Sequence, residues 1–381
     1  MIYLDNSATT APDEEVLSSF IEVNRRYFAN PASLHLPGKE AETLLERSRE
    51  QILSILGAAD GEVIFMSGGT EANNLAIVGL ARALRSRGQH IITTPIEHPS
   101  VLQAINYLEK EGFEVDYLSV DKQGLVDPKE LAEKIQENTI LVSIMHVNNE
   151  IGTVQPIAKC AEIIKEKSRA VFHSDAVQSF GKLPISLSSD GPDVITISAH
   201  KINGLKGSGI LAMKKGIKIE AVNFGGGQEK GLRSGTVSVP NAVAIAKAMR
   251  LSVSKNNNEN YKLWRKRLVN FINEFNDVVV LAEEAGAPHI LSIAFYKIKG
   301  EIAVNHFQKS GIIVSTSSAC SSKSGRAGHV IEAIRLPENY KHGVIRVSFG
   351  SNTEKQHIEQ FEKAFTQFID LLGRGKKYEV E

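Results

Sequence analysis

Between residues 62 and 200 the chain alternates short apolar runs with longer stretches of helical periodicity. "EVIFMS" reads as a strand, "TEANNLAIVGLARALRSRG" as a helix, "HIITTP" as a strand and "PSVLQAINYLEKEG" as a helix. "FEVDYLSV", "TILVSIMHV", "AVFHSDA" and "DVITISAH" continue as strands, with helices predicted over "DPKELAEKI" and "IAKCAEIIKEK" in the first two of their three gaps. Strands that alternate with helices imply right-handed crossovers and a largely parallel sheet with both faces covered. Upstream, Ala41, Leu44, Leu45, Ile52, Ile55 and Leu56 recur at helical spacing and Gly57 supplies a stop, which predicts a core-facing helix.

The alternation ends near the polar run "SKNNNEN" at 254–260. Beyond it the pattern is less regular, with strands predicted over "HILSIAFY" and "GVIRVSFG" and a final helix near 353–372. The expected fold class is therefore α/β: a large domain over residues 13–255 built on a mostly parallel, helix-covered sheet, and a smaller α+β domain. A chain of 381 residues exceeds one ordinary core, so two units are expected on size alone. Hydrophobic residues at 42% and charged residues at 23% describe a soluble globular enzyme rather than a disordered or fibrous chain. Lys+Arg and Asp+Glu are both 44, so there is no global electrostatic footprint for nucleic acid or a membrane surface. The N-terminus "MIYLDNSATT" lacks the basic and apolar regions of a signal peptide, and no stretch approaches the roughly 20 apolar residues of a membrane span. Two cysteines without a C-x-x-C argue against disulfides and structural zinc, and no metal is expected. A cytoplasmic location follows as the expectation.

In open parallel sheets ligands bind beyond the carboxyl ends of the strands. After "VIFM" comes "SGGTEANN", small residues followed by a helix N-terminus at Thr70 that suits a phosphate. It is not a nucleotide loop, because Gly-Lys-Ser/Thr is absent there and in "GLKGSG" at 204–209. Asp175 stands at one strand end with Gln178 three residues on, and Ser198, His200 and Lys201 stand at another. Singly these read as a cap, a loop histidine and a solvated lysine. Together, a carboxylate, an amide, a phosphate-binding helix terminus and a lysine form the set a pyridoxal phosphate site needs. The lysine bonds covalently to the cofactor, the carboxylate keeps the pyridine nitrogen protonated, and the helix terminus holds the phosphate.

One further feature needs a reason. "STSSACSSKSGRAG", residues 315–328, places Cys320 among small polar residues where nothing apolar buries it. Cys160, in the apolar face of "IAKCAEIIK", reads instead as an inert helix residue.

With these motifs in view the chain resembles the cysteine desulfurases, class V members of the fold-type I pyridoxal phosphate enzymes, and within them the first subgroup with a long cysteine-bearing loop. The resemblance runs in order through "YLDNSATT", "NPASLH", "SGGTEANN", "TPIEHPSV", "HVNNEIGTVQP", "HSDAVQ", "SAHK", "GGGQEKGLRSGT" and "SSAC". It implies a homodimer in which residues 1–12 and 256–381 form the small domain. It also implies that Lys201 holds pyridoxal 5'-phosphate and removes the substrate's α-proton. Asp175 is implied to pair with the pyridine nitrogen and Gln178 with the ring hydroxyl. Gly69, Thr70, Ser198 and His200 would hold the phosphate, with Thr236 reaching it across the dimer interface. His98 would stack on the ring and shuttle protons, Asn149 would touch cofactor and substrate, and Arg346 would clamp the carboxylate of L-cysteine, a task that suits a planar bidentate donor. Cys320 would take the sulfur as a persulfide, leaving alanine. An unperturbed thiol with pKa about 8.5 is only a few per cent ionised at pH 7, a penalty of roughly 2 kcal/mol, which Lys323 and Arg326 would reduce. The loop then reads as a tether, since about eight extended residues span roughly 25 Å.

The sequence departs from the family pattern at Gly69, where alanine is common, at Asn203 and Leu205, where tyrosine and proline often follow the lysine, and at Ser321, which replaces a threonine. "DLLGRGKKYEVE" does not resemble the extension that housekeeping members use to dock an iron-sulfur scaffold, so the acceptor stays open between a scaffold, a tRNA thiolation enzyme and another carrier. The alternatives are selenocysteine lyase activity, an aminotransferase or lyase of the same fold, which would not need the loop cysteine, and a non-catalytic adaptor, which would not need Lys201, Asp175 and His98.

Overall fold

A computed structural model describes residues 1–255, 257–316 and 328–373. In chain order its strands are β1 (Ile2–Tyr3), β2 (Glu62–Met66), β3 (His90–Thr93), β4 (Glu114–Tyr117), β5 (Thr139–Ser143), β6 (Val171–Asp175) and β7 (Val194–Ser198). They continue with β8 (Gly209–Met213), β9 (Val278–Leu281), β10 (Ile290–Phe295), β11 (Ile312–Ile313), β12 (Ser315–Thr316) and β13 (Val344–Ser348). Seven of them form the main sheet in the order β2-β8-β7-β6-β5-β3-β4. The six strands expected from sequence between residues 62 and 200 are all present in it, and β3 to β7 pair in parallel.

The seventh, β8, was not expected. It inserts between β2 and β7, antiparallel to both. The connection 199–208 explains its direction: a parallel return needs a crossover of about a dozen residues or more, whereas a short link turns the chain straight back. The helix expected after β2 forms as Gly69–Asn74 and Leu80–Leu84 around a π-helical turn, Leu75–Gly79. The cause is a backbone intrusion: the N–H of Glu220 donates to the Gly79 carbonyl at 3.0 Å. A Cβ on Gly79 would lie 2.4 Å from the Glu220 carbonyl oxygen, so only glycine permits the approach.

Helices cover both faces of the main sheet. Glu14–Arg26, Leu36–Ile55 and Val239–Ser254 bury Val16, Leu45, Ile52, Ala244 and Met249 against one side, and Pro99–Lys110 buries Val101, Ile105 and Leu108 on the other. The first helix and the 239–254 helix carry patterns the sequence reading did not assign. Leu36–Ile55 begins a turn earlier than residue 41 because the His35 side chain accepts the Gly38 N–H, capping an otherwise open end.

A second sheet, β12-β13-β10-β9, is antiparallel throughout. Helix Lys355–Leu371, expected from sequence, packs Phe361, Phe365 and Phe368 around Phe295 and Phe307. Ile2 and Leu4 belong to this same apolar cluster, because β1 pairs in parallel with β11. The N-terminal residues are thus packed with the last third of the chain.

One buried ion pair fixes the segment "GGGQEKGLRSGT" to the main sheet. The Glu229 carboxylate, with 1% of its side chain exposed, accepts Arg49 Nη2 at 3.0 Å, Arg49 Nη1 at 3.2 Å and the Phe65 N–H at 2.8 Å. Removing one partner of such a pair strands the other charge at a cost of about 3–5 kcal/mol. Arg49→Met is therefore expected to lower stability by about that amount, read as a reduced denaturant midpoint. A midpoint equal to that of the parent protein contradicts this account.

Candidate active site

The carboxyl ends of β6 and β7 lie side by side and deliver Asp175 and Ser198 to the same edge. A 3₁₀ turn, Ala199–Lys201, follows β7 directly, so His200 and Lys201 leave the sheet at that point. Gly69 opens the helix after β2 against this edge: a Cβ there would lie 3.1 Å from Val177 Cγ2 and 3.6 Å from Ser198 Cβ. The two strand ends and the helix start expected from sequence are therefore brought together. Ser198 is buried, whereas Thr70 is exposed.

Lys201 is half-buried, and its Nζ donates to the carbonyls of Ser7 and Ala8, the latter at 2.8 Å. Burial lowers its pKa to about 8, with the Arg346 charge acting in the same direction against Asp5 and Asp175. From below, Lys182 Nζ donates to the Lys201 carbonyl at 3.0 Å. Burial and the Lys201 charge bring Lys182 itself to about 7. His200 meets Thr9 Oγ1 at 3.2 Å, and burial with three neighbouring lysines drops its pKa to about 4, so it is a neutral ring. Gln178 donates to the Ser7 carbonyl at 3.0 Å and keeps a buried Oε1 without a partner among the described residues. The sequence reading quoted "YLDNSATT" but gave Asp5, Ser7, Ala8 and Thr9 no task. The structure makes this segment the wall on which Lys201 and Gln178 rest.

Asp175 is buried, and its Oδ1 accepts the Val177 N–H at 2.9 Å while its Oδ2 accepts Asn73 Nδ2 at 2.7 Å. Asn73 Nδ2 also lies 2.9 Å from Ser100 Oγ, which lies 2.7 Å from His98 Nδ1. Asp175 and His98, assigned separately from sequence, are thus joined through Asn73 and Ser100, which were not assigned. Ser100 sits in the first turn of its helix, where a polar residue reads as a cap, and Asn73 sits one turn into the short helix Gly69–Asn74. Burial lowers the His98 pKa, opposed by Asp175 and aided by Lys201. Glu97, next to it, is fully buried and pushed up to about 8 by desolvation, so it is held largely as the neutral acid while its Oε1 accepts the Met145 N–H at 2.8 Å.

Arg346, expected at a substrate carboxylate, lies inside the small sheet on β13 and is buried. Its Nη2 contacts Asp5 Oδ1 at 2.9 Å and Ser315 Oγ at 3.0 Å, and its Nη1 donates to the Asn149 carbonyl at 2.6 Å. Nε has no partner among the described residues, so donor capacity remains. Asn149 therefore reaches the site through its backbone as well as its half-buried side chain. Thr236 is exposed, at the end of a segment braced by the Arg233–Glu71 ion pair at 3.1 Å. Cys320, Lys323 and Arg326 lie outside the described residues. The positions flanking them do not: Ser315 is bound to Arg346, and His329 Nε2 lies 2.9 Å from the Glu97 carbonyl. Cys160 is fully buried, and desolvation pushes its thiol up to about 12.

These residues fit pyridoxal phosphate. An amine of lowered basicity stands where covalent attachment is needed, a buried carboxylate stands for a ring nitrogen, and Gln178 Oε1 and Ser7 Oγ are buried polar atoms without partners among the described residues.

The family described as Aminotransferase class-V matches residues 2–361. A cysteine desulfurase IscS of Dictyoglomus turgidum is 40% identical over 385 residues, covering 100% of this chain and 97% of the relative. A putative cysteine desulfurase IscS 1 of Bacillus subtilis is 41% identical, covering 98% and 99%. Among solved structures, a NifS-like protein superposes with TM-score 0.90 at 36% identity, covering 97% of this chain and 99% of the other. A NifS-like protein from Rickettsia africae gives 0.84 at 32% identity with the same coverage. Similarity of this extent, on a fold whose strand ends carry these groups, places the chain in the cysteine desulfurase family of class-V aminotransferases.

Proposed function

We propose that the chain is a cysteine desulfurase that takes L-cysteine to L-alanine with pyridoxal 5'-phosphate and passes the sulfur to Cys320. The observation that carries the reading is the Lys201 amine, shifted to about 8 and held beside Asp175 and His98 at the sheet's carboxyl edge. When bound, the cofactor supplies the electron sink that makes the substrate's sulfur electrophilic. Gly69, Thr70, Ser198 and His200, with Thr236 of a second copy, hold its phosphate; Asp175 and Gln178 hold its ring. Arg346 and Asn149 orient the substrate, Arg346 Nε–H being a donor without a partner among the described residues. Lys201, as the neutral amine, removes the α-proton. The Cys320 thiolate then attacks the substrate sulfur, so that an S–S bond forms as the C–S bond breaks, and alanine leaves after protonation. Support for this last step comes from the described residues on either side of that stretch: Ser315 bonds to Arg346, and His329 Nε2 lies 2.9 Å from the Glu97 carbonyl.

A homodimer belongs to the same reading, supported by exposed Phe28, Leu34, Leu36 and Phe224 and by the exposed position of Thr236. So does the division into residues 13–255 and residues 1–12 with 256–381, supported by the separate apolar clusters of the two sheets. The persulfide goes to a protein acceptor, an iron-sulfur scaffold or a tRNA thiolation enzyme, in the cytoplasm. Among the described residues no helix is long and apolar enough to cross a membrane. Labelled sulfur on Cys320, offered to each acceptor class in turn, identifies which one removes it.

Three outcomes test the assignment. Lys201→Ala is expected to lose the visible absorption of the covalently held cofactor and all turnover; an unchanged spectrum refutes its role. Cys320→Ser is expected to keep the colour while forming no protein persulfide, and normal sulfide release with cysteine would contradict it. The amine is protonated below about 8 and neutral above it, and only the neutral form attacks the cofactor. Capture of pyridoxal phosphate by the cofactor-free protein should therefore accelerate about tenfold per pH unit up to that value and then level off. A rate still climbing above pH 10 would show an unperturbed lysine.

A further inference from the structure

The hydrogen bonds around His98 have directions that can be settled from the chemistry of each partner. The Ser100 backbone N–H lies 3.2 Å from His98 Nδ1, and a backbone N–H only donates. A second chain leads to the same atom. Asp175 accepts from Val177 at one oxygen and from Asn73 at the other. A carboxylate in that position requires the Asn73 amide to present its NH₂ group, and the amide's Oδ1 is left buried without a partner among the described residues. The remaining Nδ2 hydrogen of Asn73 points to Ser100 Oγ at 2.9 Å, so that oxygen is already an acceptor. The Ser100 hydroxyl hydrogen is then free for the His98 Nδ1 lone pair at 2.7 Å.

We infer that Asn73 and Ser100 are positioning residues that lock His98 as the neutral Nε2–H tautomer, so that it meets the reacting groups as a hydrogen-bond donor and not as a base. Nδ1 receives two donors, and placing a proton on it would set hydrogen against hydrogen at the fixed Ser100 N–H and turn the Ser100 hydroxyl away. Nε2 has no hydrogen bond among the described residues, which leaves it for the substrate. A neutral ring already protonated at Nε2 has no lone pair there, so it takes no proton from the substrate. What it offers is an N–H aimed at negative charge as that charge develops, the use of a neutral imidazole as an electrophile. Proton removal then falls to Lys201 alone. Of the groups facing His98, Lys201 disfavours a second cation and His329 is spent on the Glu97 carbonyl. The Asp175 charge favours a proton on the ring, but its oxygens are hydrogen-bonded to Val177 and Asn73 and burial outweighs it.

The tautomer stands on the hydrogen bonds, while its catalytic consequence rests on the desulfurase reading, and the test separates the two. Full-length holoenzyme labelled with ¹⁵N-histidine is examined by ¹H–¹⁵N correlation NMR, the His98 signals being identified by their loss in His98→Gln. Expected is a proton on Nε2 and none on Nδ1 at pH 7 to 8. A proton on Nδ1, or exchange averaging between the two nitrogens, overturns the proposal. In Ser100→Ala the Nε2–H form should give way to a mixture. Turnover with cysteine should fall roughly tenfold or more while KM stays within about twofold. Ser100→Thr, which keeps the hydroxyl, should restore both. A Ser100→Ala protein whose tautomer is unchanged overturns the proposal whatever its rate. If cysteine is not a substrate at all, the desulfurase reading fails while the NMR result still decides the tautomer.

Discussion

Residues 5–10 cross from the small sheet to the end of the main one, and most of the site is hung on them. Asp5 pairs with Arg346 on β13, and the Ser7 N–H donates to Ser348 Oγ at 2.8 Å. The carbonyls of Ser7 and Ala8 then hold Lys201, and the Thr10 N–H reaches the His200 carbonyl at 2.8 Å. With only 7% and 14% of their side chains exposed, Arg346 and Asp5 hold charges that neither could carry unpartnered. The pair therefore commits the N-terminal segment to one course, and that course sets where the lysine amine sits relative to Arg346.

The electrostatics of the site follow from that placement. Asp5 and Asp175 both favour a protonated Lys201, yet burial together with Arg346 outweighs them and the amine ends near 8. Two more carboxyls, Glu97 and Glu150, are buried. Desolvation raises Glu97 to about 8 and Glu150 to about 7, the latter opposed by Arg346. Glu97 serves as a neutral acceptor for the Met145 N–H, tying the loop before His98 to the end of β5.

The inner strands of the main sheet were readable because they are largely apolar, as strands buried on both faces must be, while the edge strand β4 is more polar and partly exposed. The run "GILAM" has the same character, but its antiparallel course is set by the shortness of the link after Lys201, which an apolar pattern does not express. Of the site, Asp175, Gln178, Ser198, His200 and Lys201 were legible because they follow strand ends. Ser100 was not, because a polar residue in the first turn of a helix looks the same whether it caps the helix or aims a histidine, and Asn73 was not, because one asparagine inside a helix gives no sign of which partner it meets. Asp5 was equally opaque. Its partner lies 341 positions away, and no local pattern carries that pairing.

The opposite protonation habits of Lys201 and His98 have a common logic. If His98 were an imidazolium, its charge would depress the lysine further, and it would compete for Asp175 with whatever cation the aspartate is meant to hold. Two donors on Nδ1 remove that option, since a ring that cannot gain a proton there stays uncharged. The aspartate is then left to one cation, and the lysine faces a neutral neighbour. A base and a donor placed at one edge of a sheet remain distinct only if protons cannot pass freely between them. The chain keeps them so because Asn73 spends one amide hydrogen on Asp175 and the other on Ser100, which leaves the Ser100 hydroxyl hydrogen for His98.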